Sequence, residues 1–431
     1  MIDLCFQVPA LDPVSSGPTA HSIPAWAEGP GERPIHIMRA NGPINFELGW
    51  SRSAGIRRVA GMGQWHLIGV LPHLPSEKSW DFDHIAFAHP SDPRIEEVAR
   101  NSSAARALLK NFRHPFGYGC QPTGCIVSDD CPKRFRSWEA LTDLRNAFAI
   151  AAVLHGSQHA VGSANIWFPQ YSDYFDFYPL FPSGNGEGLV CNGFAVNSYD
   201  DPERFQGQSS PDMARGLLKV GVGEHLLPLL IAEWNKKYAR AKPQWRQTSD
   251  FRSLAVAYRA ARLPKGCDDL IFDIGIQASL WVSAHECLTH PGPGGRSDLE
   301  SVLTLLGQAR WRRRELQIKR QQKERQRPPR GRTLPNPKTY VQHLYRRLYD
   351  ARNDFLHGNP VNVRKAFLGP STRNSLSIEV APLIYSTALE TFLRPPTVPK
   401  KRDLHEAIEA ALGFNPLESA LLNTRKQRRR R

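Results

Sequence analysis

The sequence lacks any long run of apolar residues. Its most apolar segments are AFAIAAVL (147–154) and the run around LLPLLIA (226–232), whereas a membrane-spanning helix needs about 20 such residues in succession. The N-terminal segment MIDLCFQVPALDPV also lacks the basic stretch followed by an apolar stretch that is typical of a secretory signal. We therefore expect a cytoplasmic protein that does not span a membrane.

Cysteine is scarce and odd in number, with seven in 431 residues. This favours a reducing cytoplasm over a disulfide framework. Cys120, Cys125 and Cys131, with His114 nearby, suggest a zinc site. Zinc sites, however, usually pair cysteines at C-x2-4-C spacing, and no second pair is visible. We therefore expect free or structural cysteines, with no metal and no other cofactor.

The formal net charge of +15 is confined to two segments. Residues 308–332 hold eleven Lys or Arg and two Glu, and residues 425–431 hold six Lys or Arg. Such runs are often solvated faces or tails, but they are also suited to bind nucleic acid or, as a lesser alternative, an anionic membrane surface. The candidate nucleic-acid-binding residues are Arg310, Arg312, Arg313, Arg314, Lys319 and Arg320.

A chain of 431 residues is long enough for two or three domains. The first 210 residues combine an irregular arm (10–34), short strand-like segments such as QWHLIGVL (64–71) and DHIAFAH (83–89), and a helix over 137–156 that begins at Ser137 and stops at Gly156. This pattern predicts an α+β domain. After residue 210 the pattern is helical, and the predicted helices are 212–238, 249–262, 268–289, 297 to about 325, 338–357, 376–393 and 402–422.

The predicted fold class is therefore mixed, with an N-terminal α+β domain, an all-α helical bundle and a basic C-terminal tail. The predicted divisions are 1–210 for the first domain, 211–262 for connecting helices, 263–396 for the bundle with its basic insertion at 308–332, and 397–431 for a last helix and the tail.

The helix predicted over 338–357 presents two apolar strips. One strip packs into a core and consists of Val341, Leu344, Leu348, Ala351 and Phe355. A second strip beside it consists of Tyr345, Tyr349 and Leu356 and fits either core packing or the seam of a dimer. Gly358 stands where a helix takes a left-handed C-terminal residue, so the helix is expected to end there.

Polar groups suited to phosphate chemistry lie at the end of this helix. Arg352 lies between the two strips, and Asn353 and His357 share a face. An Arg stabilises phosphate oxygens and a His transfers protons near neutral pH, which are the groups needed to cleave RNA through its own 2′-hydroxyl without a metal. Arg352 and His357 are about 140° apart around the helix. Either the long Arg side chain reaches across, or a second copy of the helix completes the site.

The segment YDARNDFLHG (349–358) resembles the HEPN signature R-x4-6-H in its Apea-like form, in which Asn follows the Arg and Gly follows the His. FDIGIQASLWVSAHECLTH (272–290) resembles the first long helix of that family, with Glu286 at its acidic position. SLSIEVAPLIYSTALETFL (375–393) resembles the closing helix. The resemblance covers about a third of the chain, and the long basic segment between the motif helices departs from the family pattern.

The resemblance implies a helical bundle that usually dimerises, so that the two motifs line one cleft. Many members are metal-independent ribonucleases of toxin, defence or RNA-processing systems, whereas others only bind nucleic acid. By the same resemblance Arg352 stabilises phosphate, Asn353 orients it, His357 is the general base or acid, and Glu286 is a partner of Arg352. The expected partners are RNA, a second copy of the chain and a regulatory protein.

Simpler structural interpretations remain open at each of these positions. Arg352 is then a surface residue, His357 a residue that favours the helix dipole, and Glu286 part of a buried ion pair. The functional alternative to a ribonuclease is a non-catalytic HEPN module that dimerises and binds nucleic acid or a partner protein.

Overall fold

The computed structural model describes residues 64–74, 76–162, 174–192, 196–210, 222, 226–263, 270–309, 339–359 and 380–393. The predicted arm (10–34), residues 310–332 of the basic insertion, the predicted helix 402–422 and the tail 425–431 lie outside these residues. Within the described ranges, no helix combines the length and hydropathy needed to cross a membrane.

Strands and helices both occur in the described part of the chain, so the predicted mixed class is confirmed at that level. The strands are β1 (Trp65–Leu71), β2 (Trp80–Phe82), β3 (Ile85–Ala88), β4 (Phe112–Arg113), β5 (Gly119–Cys120), β6 (Thr123–Ser128), β7 (Leu180–Pro182), β8 (Leu189–Asn192), β9 (Val196–Tyr199) and β10 (Gly207–Gln208). The helices are α1 (Pro93–Asn101), α2 (Ser103–Lys110), α3 (Trp138–Gly162), α4 (Leu226–Ala239), α5 (Trp245–Arg262), α6 (Leu270–Leu288), α7 (Leu299–Gly307), α8 (Tyr340–Leu356) and α9 (Ala381–Leu393).

An antiparallel sheet in the order β1-β6-β3-β2 is buried on both faces. Successive strand residues point to opposite faces, so Ile85 and Phe87 join the core that contains α3, whereas Ala86 and Ala88 join the core that contains α1 and α2. Burial of both faces explains why these strands are almost wholly apolar in sequence. Two smaller sheets have the orders β10-β4-β5 and β7-β8-β9.

Helix α3 begins where the sequence predicts but continues past its predicted end. The Ser137 hydroxyl accepts a hydrogen bond from the Ala140 amide at 3.2 Å, as expected of a helix cap. The predicted stop at Gly156 is wrong, because the helix runs on to Gly162. A glycine inside a helix costs about 1 kcal/mol, and burial of apolar neighbours such as Val153 and Leu154 offsets that cost here.

Every element described after residue 210 is a helix, as predicted. The predicted helix from 297 to about 325 is wrong at its end, because α7 stops at Gly307. Helix α6 packs against α5, α8 and α9, and α3 packs against α4, α5 and α9. One hydrophobic core therefore continues from the sheet through α3 into the later helices. The division at residue 210 stays a prediction about the sequence, while the packing is continuous across it.

A buried charge cluster joins α3 to α4. The Lys237 ammonium lies 2.7 Å from Asp143 and 2.9 Å from Glu139, and the Tyr238 hydroxyl donates to Asp143 at 2.6 Å. Burial raises the pKa of Asp143, and the Lys237 charge opposes that shift. The cluster shows that the core between these helices is held by paired charges as well as by apolar contacts.

Candidate functional site

Helix α8 carries the predicted motif and has a well-defined start. The Thr339 hydroxyl accepts the Gln342 amide, and the Gln342 side chain accepts the Thr339 amide at 2.8 Å, which forms a capping box. The helix therefore begins within two residues of its predicted start.

The end of α8 is fixed by a left-handed glycine, as the sequence predicts. Gly358 has φ +68°, and its amide donates to the Phe355 carbonyl at 3.1 Å. The Asn359 amide donates to the Asp354 carbonyl at 2.8 Å, which completes a Schellman motif. His357 is consequently the C-terminal cap residue, and its side chain is exposed at the helix end.

The core face of α8 is wider than predicted. Val341, Leu344 and Leu348 are buried as expected, but Tyr345 is also buried, at 0% exposure. The expectation that Tyr345 lines a dimer seam is therefore wrong in this respect, since a buried ring cannot contact a partner. Tyr345 is enclosed because α6 packs on this side of α8, where its ring lies 4.8 Å from that of His285.

Arg352, Asn353 and Glu286 come together between α6 and α8. The Arg352 Nη1 donates to the Asn353 side-chain oxygen at 3.0 Å, and its Nη2 lies 3.8 Å from a carboxylate oxygen of Glu286. The Arg352 guanidinium also lies 5.6 Å from the Tyr349 ring. Burial raises the pKa of Glu286, and the Arg352 charge opposes this shift. The predicted partnership of Glu286 with Arg352 thus matches the observed geometry.

The Arg352 guanidinium keeps unused hydrogen-bonding capacity. Its Nε is buried and has no partner among the described residues, while its side chain as a whole is 23% exposed. A donor of this kind is costly to leave unmet. Because Nε is buried, an anionic oxygen that approaches from solvent meets the exposed part of the guanidinium and not this donor.

His357 stands apart from the other three predicted residues. No hydrogen bond within the described residues involves its imidazole, and none joins it to Arg352 or Glu286. The separation follows from the five-residue spacing, which places the two side chains about 140° apart around the helix. A single copy of α8 therefore presents the guanidinium and the imidazole in different directions.

Two buried polar groups beside Arg352 were not predicted. The Tyr345 hydroxyl has no hydrogen-bond partner among the described residues, and its pKa is raised well above the usual value by burial and then by Glu286. Burial lowers the pKa of His285 to about 4, so this imidazole is neutral at pH 7. Sequence spacing could have indicated both groups. Tyr345 lies two helical turns before Arg352 on the same side of the helix, and His285 directly precedes Glu286.

The remaining predicted sites lie elsewhere. The six predicted nucleic-acid-binding residues fall outside the described residues, namely Arg310, Arg312, Arg313, Arg314, Lys319 and Arg320. Cys120 lies in a different core from Cys125 and Cys131, and no cluster of three or more His, Cys, Asp or Glu in the described ranges is arranged to hold a metal.

An open cavity of about 460 Å³ is lined by Leu288, Thr289, Asp298, Glu300, Ser301, Thr304, Leu305, Gln308 and Phe392. The motif residues are not part of that lining.

Comparison with family models, with curated proteins and with solved structures finds no match to this chain. A function for this chain is therefore inferred from its residues and from the resemblance of the motif.

Proposed function

We propose that the chain is a HEPN-type, metal-independent endoribonuclease that uses Arg352, Asn353 and His357, of the kind found in defence and toxin systems. The observation that carries the proposal is the end of α8. There, a part-exposed guanidinium with an unmet buried donor lies five residues before an exposed imidazole that no described residue engages. An arginine with a purely structural role would be expected to have its buried donor satisfied.

In the proposed reaction the substrate supplies the nucleophile. An imidazole nitrogen of His357 accepts the proton of a ribose 2′-hydroxyl, and the resulting oxygen attacks the adjacent phosphorus. The bond from phosphorus to the 5′-oxygen breaks, and that oxygen takes up a proton as it leaves. The products are a 2′,3′-cyclic phosphate and a 5′-hydroxyl.

Arg352 has the electrostatic role in this reaction. Its planar guanidinium binds two phosphate oxygens and stabilises the charge that they gain in the transition state. Asn353 holds the Nη1 side of the guanidinium, and Glu286 faces the Nη2 side. These two contacts restrict the rotation of a long side chain before the substrate arrives.

The separation of Arg352 from His357 within one chain supports a homodimeric site. In such a dimer, Arg352 of one chain and His357 of the other act on the same phosphate. One apolar side chain near the end of α8 is available for such a contact, because Leu356 is 56% exposed. The Phe272 ring of α6 lies 5.5 Å from that of Phe355, so the two helices are in contact close to the end of α8.

The same separation favours one alternative, a non-catalytic HEPN module that dimerises and binds nucleic acid or a regulatory partner protein. In that case Arg352 serves only to bind phosphate. The basic residues between Arg310 and Arg320 remain candidates for nonspecific RNA contact under both alternatives.

Product analysis distinguishes the two. Purified protein is incubated in EDTA with an RNA and with the DNA of the same sequence, and the fragment ends are determined. The ribonuclease proposal expects cleavage of RNA alone, with 2′,3′-cyclic phosphate ends, because DNA lacks the 2′-hydroxyl. Cleavage that needs a divalent cation contradicts the proposed mechanism, and binding of RNA without any cleavage favours the non-catalytic module.

A further inference from the structure

A short hairpin in the N-terminal part of the chain has a rigid tip. Strands β4 and β5 pair antiparallel, and within the tip (residues 114–118) the His114 amide donates to the Tyr118 carbonyl and the Gly117 amide to the His114 carbonyl, both at 2.8 Å. Pro115 has a fixed φ, and Gly117 takes the left-handed conformation with φ +88°. The tip is therefore preorganised, and a ligand that binds it orders little additional chain.

The tip carries a stack of aromatic rings that ends in solvent. The His114 ring is stacked on Tyr118, with centroids 4.2 Å apart and planes 10° apart, and on Phe116, at 5.2 Å and 29°. His114 is 8% exposed, whereas Phe116 is 84% exposed. The outermost ring of the stack thus offers almost its full surface to a further planar group.

The base of the hairpin is anchored in the protein core. Phe112 of β4 is 0% exposed, and its ring packs against Tyr178 and Phe205 with centroids 5.0 and 5.4 Å away. The exposure of Phe116 is consequently a property of a firmly held hairpin. Nothing in this packing requires a large apolar side chain at the tip.

The sequence segment that contains the tip is basic. Between Val98 and Ser128 the sequence has no Asp or Glu, and its four Lys or Arg are all exposed, namely Arg100, Arg106, Lys110 and Arg113. The Arg113 Nη1 donates to the Gly117 carbonyl at 3.5 Å, so this cation lies at the tip, against the residue that follows Phe116. Acidic groups enter this region from other elements, as Glu203 does on the 3-10 helix Pro202–Arg204 that packs against α2.

We propose that this tip is a binding site for single-stranded nucleic acid, in which an unpaired base stacks on Phe116 and an adjacent phosphate contacts Arg113. Every base has a planar face, and stacking on an aromatic side chain does not depend on sequence. A base within a duplex is already stacked on both sides and cannot occupy the position. The site is separate from Arg352 and His357, and it does not depend on whether those residues cleave RNA.

The test measures binding of the full chain to two fluorescent oligonucleotides of equal length, one of deoxyadenosines and one of abasic deoxyribose. DNA lacks the 2′-hydroxyl, so the proposed cleavage reaction cannot consume either probe, and the outcome is independent of that reaction. Phe116→Ala is compared with Tyr199→Ala, which removes a ring that is 50% exposed on β9.

We expect Phe116→Ala to bind the adenine strand roughly 5- to 150-fold more weakly, as the loss of one stacked base predicts, with abasic-strand affinity unchanged. Tyr199→Ala should bind both strands as the unaltered protein does. Phe116→Leu keeps an apolar side chain without a ring and should lose the same preference. Equal binding of both strands by the unaltered protein, or an adenine affinity that survives both Phe116 variants, overturns the proposal and leaves a protein-docking surface as the alternative.

The salt dependence separates the two contacts. Replacing Arg113 with Gln should lower the log-log slope of affinity against salt by about 0.7, the value for one single-strand phosphate contact. Phe116→Ala should shift the line without changing its slope, because stacking releases no counterion. If Phe116→Ala changes only the slope of log affinity against log salt, the assignment of stacking to this ring is contradicted.

Discussion

The guanidinium of Arg352 has partners at its two terminal nitrogens but none at Nε. Asn353 and Glu286 engage its two terminal nitrogens, while Nε is buried without a partner among the described residues. A lysine at this position retains the charge but lacks the planar fork that binds two phosphate oxygens at once. The role proposed for Arg352 therefore depends on its shape as much as on its charge.

We predict that Arg352→Lys lowers the rate of RNA cleavage on the order of 10²-fold, the usual cost of removing one transition-state donor. The matched control is Arg346→Lys on the same helix, where the guanidinium pairs with exposed Asp350 at 2.9 Å. Single-turnover cleavage in EDTA measures both. Equal rates for the two variants would show that the fork of Arg352 is not used.

Asp250 is a second residue with unmet hydrogen-bonding capacity. It is 0% exposed on α5, and neither carboxyl oxygen has a hydrogen-bond partner in the described part of the chain. Burial, and then the nearby charge of Glu233, raise its pKa to about 8. The folded state thus holds a proton that the unfolded chain releases near its ordinary pKa of about 4.

This difference in pKa gives a stability that falls with pH. The contribution of Asp250 is fully present below about pH 4 and is lost as the pH rises towards 8, with a slope of at most about 1.4 kcal/mol per pH unit. We predict that Asp250→Asn raises the melting temperature at pH 8 and flattens its pH dependence over this range. Asp83→Asn, at an exposed turn residue, should change neither. A pH profile of Asp250→Asn that parallels the unaltered protein would refute the assignment.

At the scale of elements, the packing of α4 on α3 depends on one buried ammonium. Lys237 has a side chain that is 7% exposed and contacts both Asp143 and Glu139. Arg204, by contrast, has a side chain that is 88% exposed and pairs with Asp201, which is 57% exposed. Removing one partner of a buried ion pair leaves the other charge unpaired and costs about 3–5 kcal/mol, whereas an exposed pair contributes at most about 1 kcal/mol.

We therefore predict that Lys237→Met lowers the free energy of unfolding by about 3 kcal/mol, and that Arg204→Met, at an exposed pair, changes it by less than about 1 kcal/mol. Urea titration of both variants measures the difference. Comparable losses would mean that Asp143 is accessible to water and does not depend on Lys237.

Elements with local signals were predictable from the sequence. The apolar strip and Gly358 predict α8. The continuous apolar segments predict β1 and β3, and the nearly continuous burial of these strands agrees with that prediction. Gly156 misled because the local cost of a glycine is smaller than the packing energy of a buried helix. The pairing of β1 with β6 was not predictable from the sequence. The two strands are about 60 positions apart, and no single short turn connects them and fixes their register.

The candidate site was predictable only in part, for the same reason. Arg352, Asn353 and His357 stand together in sequence, and their helix placement follows from periodicity. Burial of Tyr345 depends on α6, which packs across α8 at Gly275, where an added Cβ would lie 2.1 Å from Phe355. Which strip of α8 meets α6 is a property of tertiary packing that periodicity leaves open.

At the scale of the whole molecule, the proposed site requires two chains. Leu356 is an exposed apolar side chain at the end of α8, and Tyr345 takes no part because it is buried. We predict a homodimer at tens of micromolar protein, on the order of the dissociation constant of a weak interface, and a monomer for Leu356→Glu. Sedimentation velocity distinguishes the two, with Tyr199→Glu as the control for an added surface charge. A protein that stays monomeric at these concentrations contradicts the two-chain site.

The imidazole of His357 tests the central claim most directly. The measurement is the rate of RNA cleavage in EDTA by His357→Ala and by His84→Ala, whose side chain is 42% exposed on the loop between β2 and β3. We predict a loss of about 10²- to 10⁴-fold for His357→Ala, because proton transfer contributes that much, and an unchanged rate for His84→Ala. A His357→Ala protein that cleaves RNA at the unaltered rate would contradict the account.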